Sequence, residues 1–175
     1  MPTNALDNPL VLPILGLLVE RSRHPYAVFS ELRRRYDYLQ VRNGTVYTLL
    51  QRLTDEGWVS ASGDERIATE SGVAALAERV AQQLRSSDLT GGPAFVTALA
   101  YIGILPPSEA VAVLEERVAL IHEEIQRLDQ AVHNSGEPEI HMIEAYFLRS
   151  RLKHDVDWLD STARRIKVKE LGWVR

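Results

Sequence analysis

The chain has 175 residues, 45% of them apolar, which is enough for a buried core and too many for a disordered tail. It contains no cysteine, which excludes a thiolate nucleophile, a disulfide framework and a cysteine-ligated metal site. The formal charge of −4 is not the basic footprint usual for a nucleic-acid binder, yet the deficit is uneven: residues 1–66 hold eight arginines against eight acids, and the whole acidic excess follows Arg66.

The opening Met1–Asn8 lacks the positive start and cleavage site of a secretion signal. The most apolar run, Pro9–Val19, is about half the roughly 20 residues of a bilayer span. A cytoplasmic chain with no membrane partner is therefore expected. Leu6–Val19 reads as a buried first helix, and Arg21–Pro25 as a polar break. Tyr26, Phe29, Leu32 and Tyr36 then recur at helical spacing, ending in the cluster Arg33, Arg34 and Arg35, where cations suit the negative pole of a helix.

The segment Asn43–Gly57 carries the clearest pattern. Asn43 is a good cap, Val46, Leu49, Leu50 and Leu53 form a buried stripe, and Gly57 is a fitting stop. The opposite side offers Thr45, Thr48, Gln51 and Arg52, with Tyr47 at its edge. Such hydroxyl, amide and guanidinium groups can bond base edges and phosphates, and Gly44 allows close approach to the backbone amides at the helix start. A surface helix that is merely polar outside has the same pattern. Trp58–Ala61 and Arg66–Ala68 read as two strands joined by Ser62–Glu65, and Thr69 as the cap of a helix through Val73, Leu76, Val80 and Leu84.

Ser86–Pro93 is the expected linker between a first domain, 1–86, and a helical one, 94–175. After a short helix over Ala94–Leu105, Ser108 is the expected cap of a long one. Its Val111, Leu114, Val118, Ile121, Ile125, Leu128 and Val132 alternate at spacings of three and four, as in a coiled coil. That stripe is a homodimer seam or internal packing against the last helix, or both in a four-helix arrangement. The last helix, about Glu139–Lys169, has no strict heptad. Tyr101, Tyr146, His154 and Trp158 could line a pocket for a small-molecule effector, or merely cap the helical core. The five histidines and the scattered acids show no metal or catalytic framing, and no phosphate-cradling loop occurs, so neither an enzyme nor a cofactor is expected.

Helix, helix with arginines, capped helix, short hairpin, helix is the winged helix-turn-helix plan, and the whole reads as mainly α with a two-stranded wing. Ile14-Leu15-Gly16-Leu17-Leu18 and His24-Pro25-Tyr26 resemble the start of PadR-family transcriptional regulators. Gly44-Thr45-Val46-Tyr47, followed by Leu49–Leu53 and Glu56-Gly57, resembles that family's recognition helix. Thr69-Glu70-Ser71-Gly72 and Leu105-Pro106-Pro107 extend the likeness over most of the chain. Two features depart from it: Pro25 stands where the family commonly has glycine, and the wing is short and acidic. Arg66 is the basic residue nearest that wing. The resemblance implies a dimeric repressor on double-stranded operator DNA that a small-molecule effector could release. The competing class is a winged-helix protein–protein adaptor, which an acidic wing would suit.

Overall fold

A computed structural model describes residues 5–173. The ends of the expected spans, 1–4 and 174–175, and with them half of the opening Met1–Asn8, lie outside the described residues. The apolar run folds as a 3-10 turn (Ala5–Asp7) and α1 (Val11–Glu20), whose residues Val11–Leu18 are all buried. A helix buried on every side must be surrounded, and the four helices that follow it pack around it. Gly16 lets one neighbour come very close: a Cβ there would lie 2.1 Å from the Tyr101 ring. The Tyr36 hydroxyl donates to that of Tyr101 at 2.7 Å, and burial pushes the Tyr101 phenol well above its ordinary range.

In α2 (Pro25–Arg35) the buried face is Pro25, Val28 and Leu32, with Tyr36 just beyond. The expected stripe through Tyr26 is corrected, since Tyr26 is 58% exposed. α3 (Asn43–Asp55) buries Val46, Leu49, Leu50 and Leu53 as expected. Its cap position is Arg42, not Asn43, and no side chain caps it. The wing is β1 (Val59–Ser62) against β2 (Glu65–Ala68), in antiparallel register from Val59–Ala68 to Ser62–Glu65. Gly63, at φ +60°, supplies the left-handed backbone of the two-residue turn. The wing is also tied backward, through paired bonds of 2.9 and 2.8 Å between the backbones of Arg23 and Arg66.

Thr69 caps α4 (Glu70–Ser86) by accepting from the Gly72 amide at 3.1 Å, and its hydroxyl donates to the Gly57 carbonyl at 2.6 Å. The expected helix over 94–105 is broken into α5 (Pro93–Leu99) and a 3-10 turn (Ile102–Ile104), and α5 packs on α4 and α1. α6 (Pro107–Ser135) starts one residue before the expected cap Ser108 and ends at Gly136, in left-handed backbone at φ +65°. After a 3-10 turn (Glu139–Met142), α7 (Ile143–Lys167) returns along it, with Arg149–Asp129 and Lys167–Glu115 pairing near the two ends.

This hairpin fills the heptad stripe from within. Val111, Leu114, Val118, Ile121, Ile125 and Leu128 are buried, and Leu152, Val156, Leu159 and Ile166 are buried on α7. Val132 is half-buried. Of the readings of the stripe, homodimer seam or internal packing, the internal one is seen within the chain, because its surface is already removed from water. Arg117 is a surprise on the same helix. It is 1% exposed, and its guanidinium donates to the carbonyls of Leu84 (3.1 Å), Ser87 (3.1 Å) and Asp88 (2.5 Å) while lying 3.8 Å over the Phe95 ring. Desolvation lowers its pKa from the ordinary value. Among the described residues no helix is long and apolar enough to cross a membrane.

Candidate nucleic-acid interface

Four aliphatic anchors fix the rotation of α3 about its axis, so its other side must face out. Asn43, Gly44, Tyr47, Thr48, Gln51 and Arg52 are exposed, and Thr45 is half-buried. Tyr47 is 44% exposed although aromatic, so its ring area is not spent on the core. The polar groups are partly engaged along the helix: Thr48 donates to the Gly44 carbonyl at 3.0 Å, Gln51 to Asp55 at 2.9 Å, and Arg52 lies 3.6 Å from Glu56. These are exposed bonds between neighbouring turns, and exposed pairs of this kind are weak enough to exchange for a ligand.

The arginine cluster divides. Arg34 grips Glu31 with both arms, at 2.8 and 2.6 Å. Arg35 bonds Glu31 at 2.6 Å and Glu20 at 2.5 and 3.0 Å, while the buried Arg23 meets the same Glu20 at 2.9 Å. Arg33 instead lies 5.8 Å from the Phe29 ring centre, and no carboxylate pairs with it among the described residues. The same holds for Arg66, whose guanidinium donates to the Glu65 carbonyl at 3.0 Å, and for Arg42. Arg42 was not singled out from the sequence. Its signal is positional: it is exposed and stands at the cap of α3, beside the free amides of the helix start. At the wing tip Asp64 and Glu65 are exposed, so the turn presents negative charge.

The bond from Arg34, with help from Arg35, holds the Glu31 carboxyl down from 4.5 to about 2. A folded-state value below the ordinary one means that ionised Glu31 favours the fold above pH 4.5, and that this contribution fades as the pH falls towards 2. Glu31→Gln is thus expected to unfold at lower urea than the parent at pH 7, with the difference shrinking by pH 3. A difference equal at both pH values would show that the carboxylate is not the source.

Of the four expected effector residues, the structure brings two together. His154 and Trp158 line a cavity of 280 Å³ with Phe95, Arg117 and Arg151. Tyr101 belongs to the contact with Gly16 and Tyr36, and Tyr146 does not line the cavity. Among the described residues no cluster of side chains could hold a metal ion.

Residues 14–73, from α1 through the wing into α4, match the model of the Transcriptional regulator PadR-like family. Over these residues, about a third of the chain, the sequence is similar to that family. The PadR-like segment contains all of α3 and the hairpin, together with the arginine cluster. Three solved structures are similar at low identity. Bacillus subtilis PadR in complex with operator DNA is 21% identical, covering 91% of this chain and 99% of that one, with a TM-score of 0.39. The same protein in complex with p-coumaric acid is 20% identical, covering 95% and 99%, with a TM-score of 0.43. The Vibrio cholerae virulence activator AphA is 17% identical, covering 90% and 94%, with a TM-score of 0.41. No curated relative matches the sequence.

Proposed function

We propose that this PadR-like regulator represses transcription as a homodimer on an inverted-repeat operator, with α3 of each copy in a major groove. The observation that supports this most directly is the outer side of α3: Tyr47, Thr48, Gln51 and Arg52 are exposed over four buried anchors, with Thr45 half-buried beside them. Base edges are met by Thr45, Thr48, Gln51 and Arg52, and phosphates by Tyr47, Arg33 and Arg42. Arg34 and Arg35 take a lesser part, because Glu31 and Glu20 already neutralise them. The acidic wing tip is held off the backbone, and Arg66 is the cation nearest to it.

Two-fold symmetry would place the two reading helices about one turn of DNA apart, roughly 34 Å. The partner's footprint is a face that the single chain leaves wet. Ile140, Ile143, Phe147 and Trp158 are each between 48% and 67% exposed, and they follow one side of the last 3-10 turn and α7. Large apolar side chains grouped in this way suit a protein partner better than water. The dimer is thus built by the 94–175 region and the reading by 1–86, with α5 seated on the reading half. The cavity at His154 and Trp158 suits an effector. Its Arg117 also holds the end of α4, so an occupant favouring one setting of that contact would shift the population of DNA-competent dimers.

The test is a gel shift with the DNA flanking the gene at two salt concentrations. The parent binds, and its affinity falls steeply with salt, by about 0.9 in log K per phosphate contact per tenfold rise. Tyr47→Ala and Arg52→Ala each lower affinity at least tenfold while the dimer stays folded. Unchanged affinity in both would remove α3 as the reader, and no binding to any flanking fragment at low salt would make the chain an adaptor.

A further inference from the structure

Beyond α7 the chain reverses direction. Lys169 takes the left-handed backbone at φ +60°, which no other non-glycine residue among those described adopts. The Lys169 amide donates to the Ile166 carbonyl at 3.0 Å and the Glu170 amide to that of Arg165 at 2.9 Å. The tail then runs back to the beginning of α6, where the Trp173 indole N–H donates to the Leu105 carbonyl at 2.9 Å. Between this strap and the open end of the α6–α7 hairpin lies a cavity of 660 Å³, more than twice the volume of the one at His154.

Its walls are mostly hydrocarbon and indole, from Val111, Ile166, Leu171 and Trp173. Its charges are all of one sign. Two of the three lysines in the chain, Lys167 and Lys169, line it, and no carboxylate does so among the described residues. Lys167 is already paired with Glu115 at 2.5 Å. Glu170, next in sequence to Lys169, turns to Arg165 at 3.3 Å, leaving the Lys169 ammonium with no carboxylate partner among the described residues. An apolar chamber of this size with a few placed polar groups has the build of a small-molecule site. One unpaired cation at its edge selects a ligand with one negative end and an apolar body.

We propose that this chamber binds a small amphipathic carboxylate of the medium-chain fatty-acid class, its tail against Val111, Ile166, Leu171 and Trp173 and its carboxylate at Lys169. The site shares no residue with α3 or with the cavity at His154, so it stands independently of the DNA-binding reading. The strap forms one wall, so an occupant also pins the tail to α6.

The test uses the full chain without DNA. Decanoate, decanol and acetate are titrated below micellar concentrations, by calorimetry and by tryptophan emission. Decanoate saturates at one molecule per chain, decanol binds about fivefold more weakly, and acetate does not bind. Lys169→Gln weakens decanoate about fivefold and leaves decanol unchanged. Trp173→Phe removes most of the emission change but keeps a saturable heat, and His154→Ala changes neither. No saturable heat with decanoate, equal affinity for decanol, or indifference to Lys169→Gln overturns the proposal. So does a Trp173 emission change that follows protein concentration alone, because a second copy then fills the chamber.

Discussion

Gly72→Ala is expected to lower stability by about 3 kcal/mol, a drop of roughly 6–12 °C in Tm for a chain of this length. The added Cβ would lie 2.0 Å from the Trp58 carbonyl oxygen, closer than any real contact. A flexible side chain could swing aside, but here the obstacle is backbone, and the same oxygen accepts from the Thr69 amide at 3.0 Å. Relief would have to separate α4 from the start of the wing, undoing the cap at Thr69. Gly44→Ala is the matched control. Nothing lies within 4 Å of its Cβ position, so its stability should stay within about 0.5 kcal/mol of the parent. Thermal unfolding of the two variants side by side decides the matter, and equal melting points would mean that the approach of Trp58 is not rigid.

Arg117→Met should cost about 3 kcal/mol or more, and should change the form of unfolding as well as its midpoint. Methionine keeps much of the apolar stem over Phe95 but leaves the carbonyls of Leu84, Ser87 and Asp88 without their donor. Those carbonyls belong to the end of α4 and the connector after it, whereas Arg117 belongs to α6. The variant therefore loses the Arg117 tie between the end of α4 and the long hairpin, and calorimetry should show two transitions in place of one. Arg117→Lys should recover less than half of the loss, since one ammonium cannot serve three carbonyls in a planar fork. A single sharp transition at the parent's temperature would refute this account of Arg117.

The strongest stripe marks a real element and its orientation. Val46, Leu49, Leu50 and Leu53 determined both the extent of α3 and the side it exposes, because four anchors at helical spacing permit one orientation. Thr69 and Gly136 behaved as local chemistry dictates, through a hydroxyl cap and a left-handed stop. Long-range pairing was not legible. Glu31 stands three and four residues before Arg34 and Arg35, a spacing that permits pairing on one helix, but the claim of Glu20 on Arg35 comes from another helix and has no local signal. The heptad stripe of α6 is equally satisfied by a helix from the same chain or from a second copy. Only the position of α7 distinguishes the two. Tyr26 and Val28, two residues apart, lie on nearly opposite sides of α2, and the aromatic residue is the poorer guide to its buried face. Arg117 is one of many charges along α6, and three main-chain acceptors from a preceding segment cannot be read from spacing.

α6, at 29 residues, is a rod of about 43 Å. Arg117 grips the end of α4 roughly a third of the way along it, with the tip at Gly136 far beyond. Stiffness over that length turns a small angular change near the grip into a large sweep: a tilt of about 5° displaces the tip by roughly 2–3 Å. Geometric gain of this kind would let an event too slight to alter any single side chain's packing move the far end of the hairpin against the body that Arg117 holds.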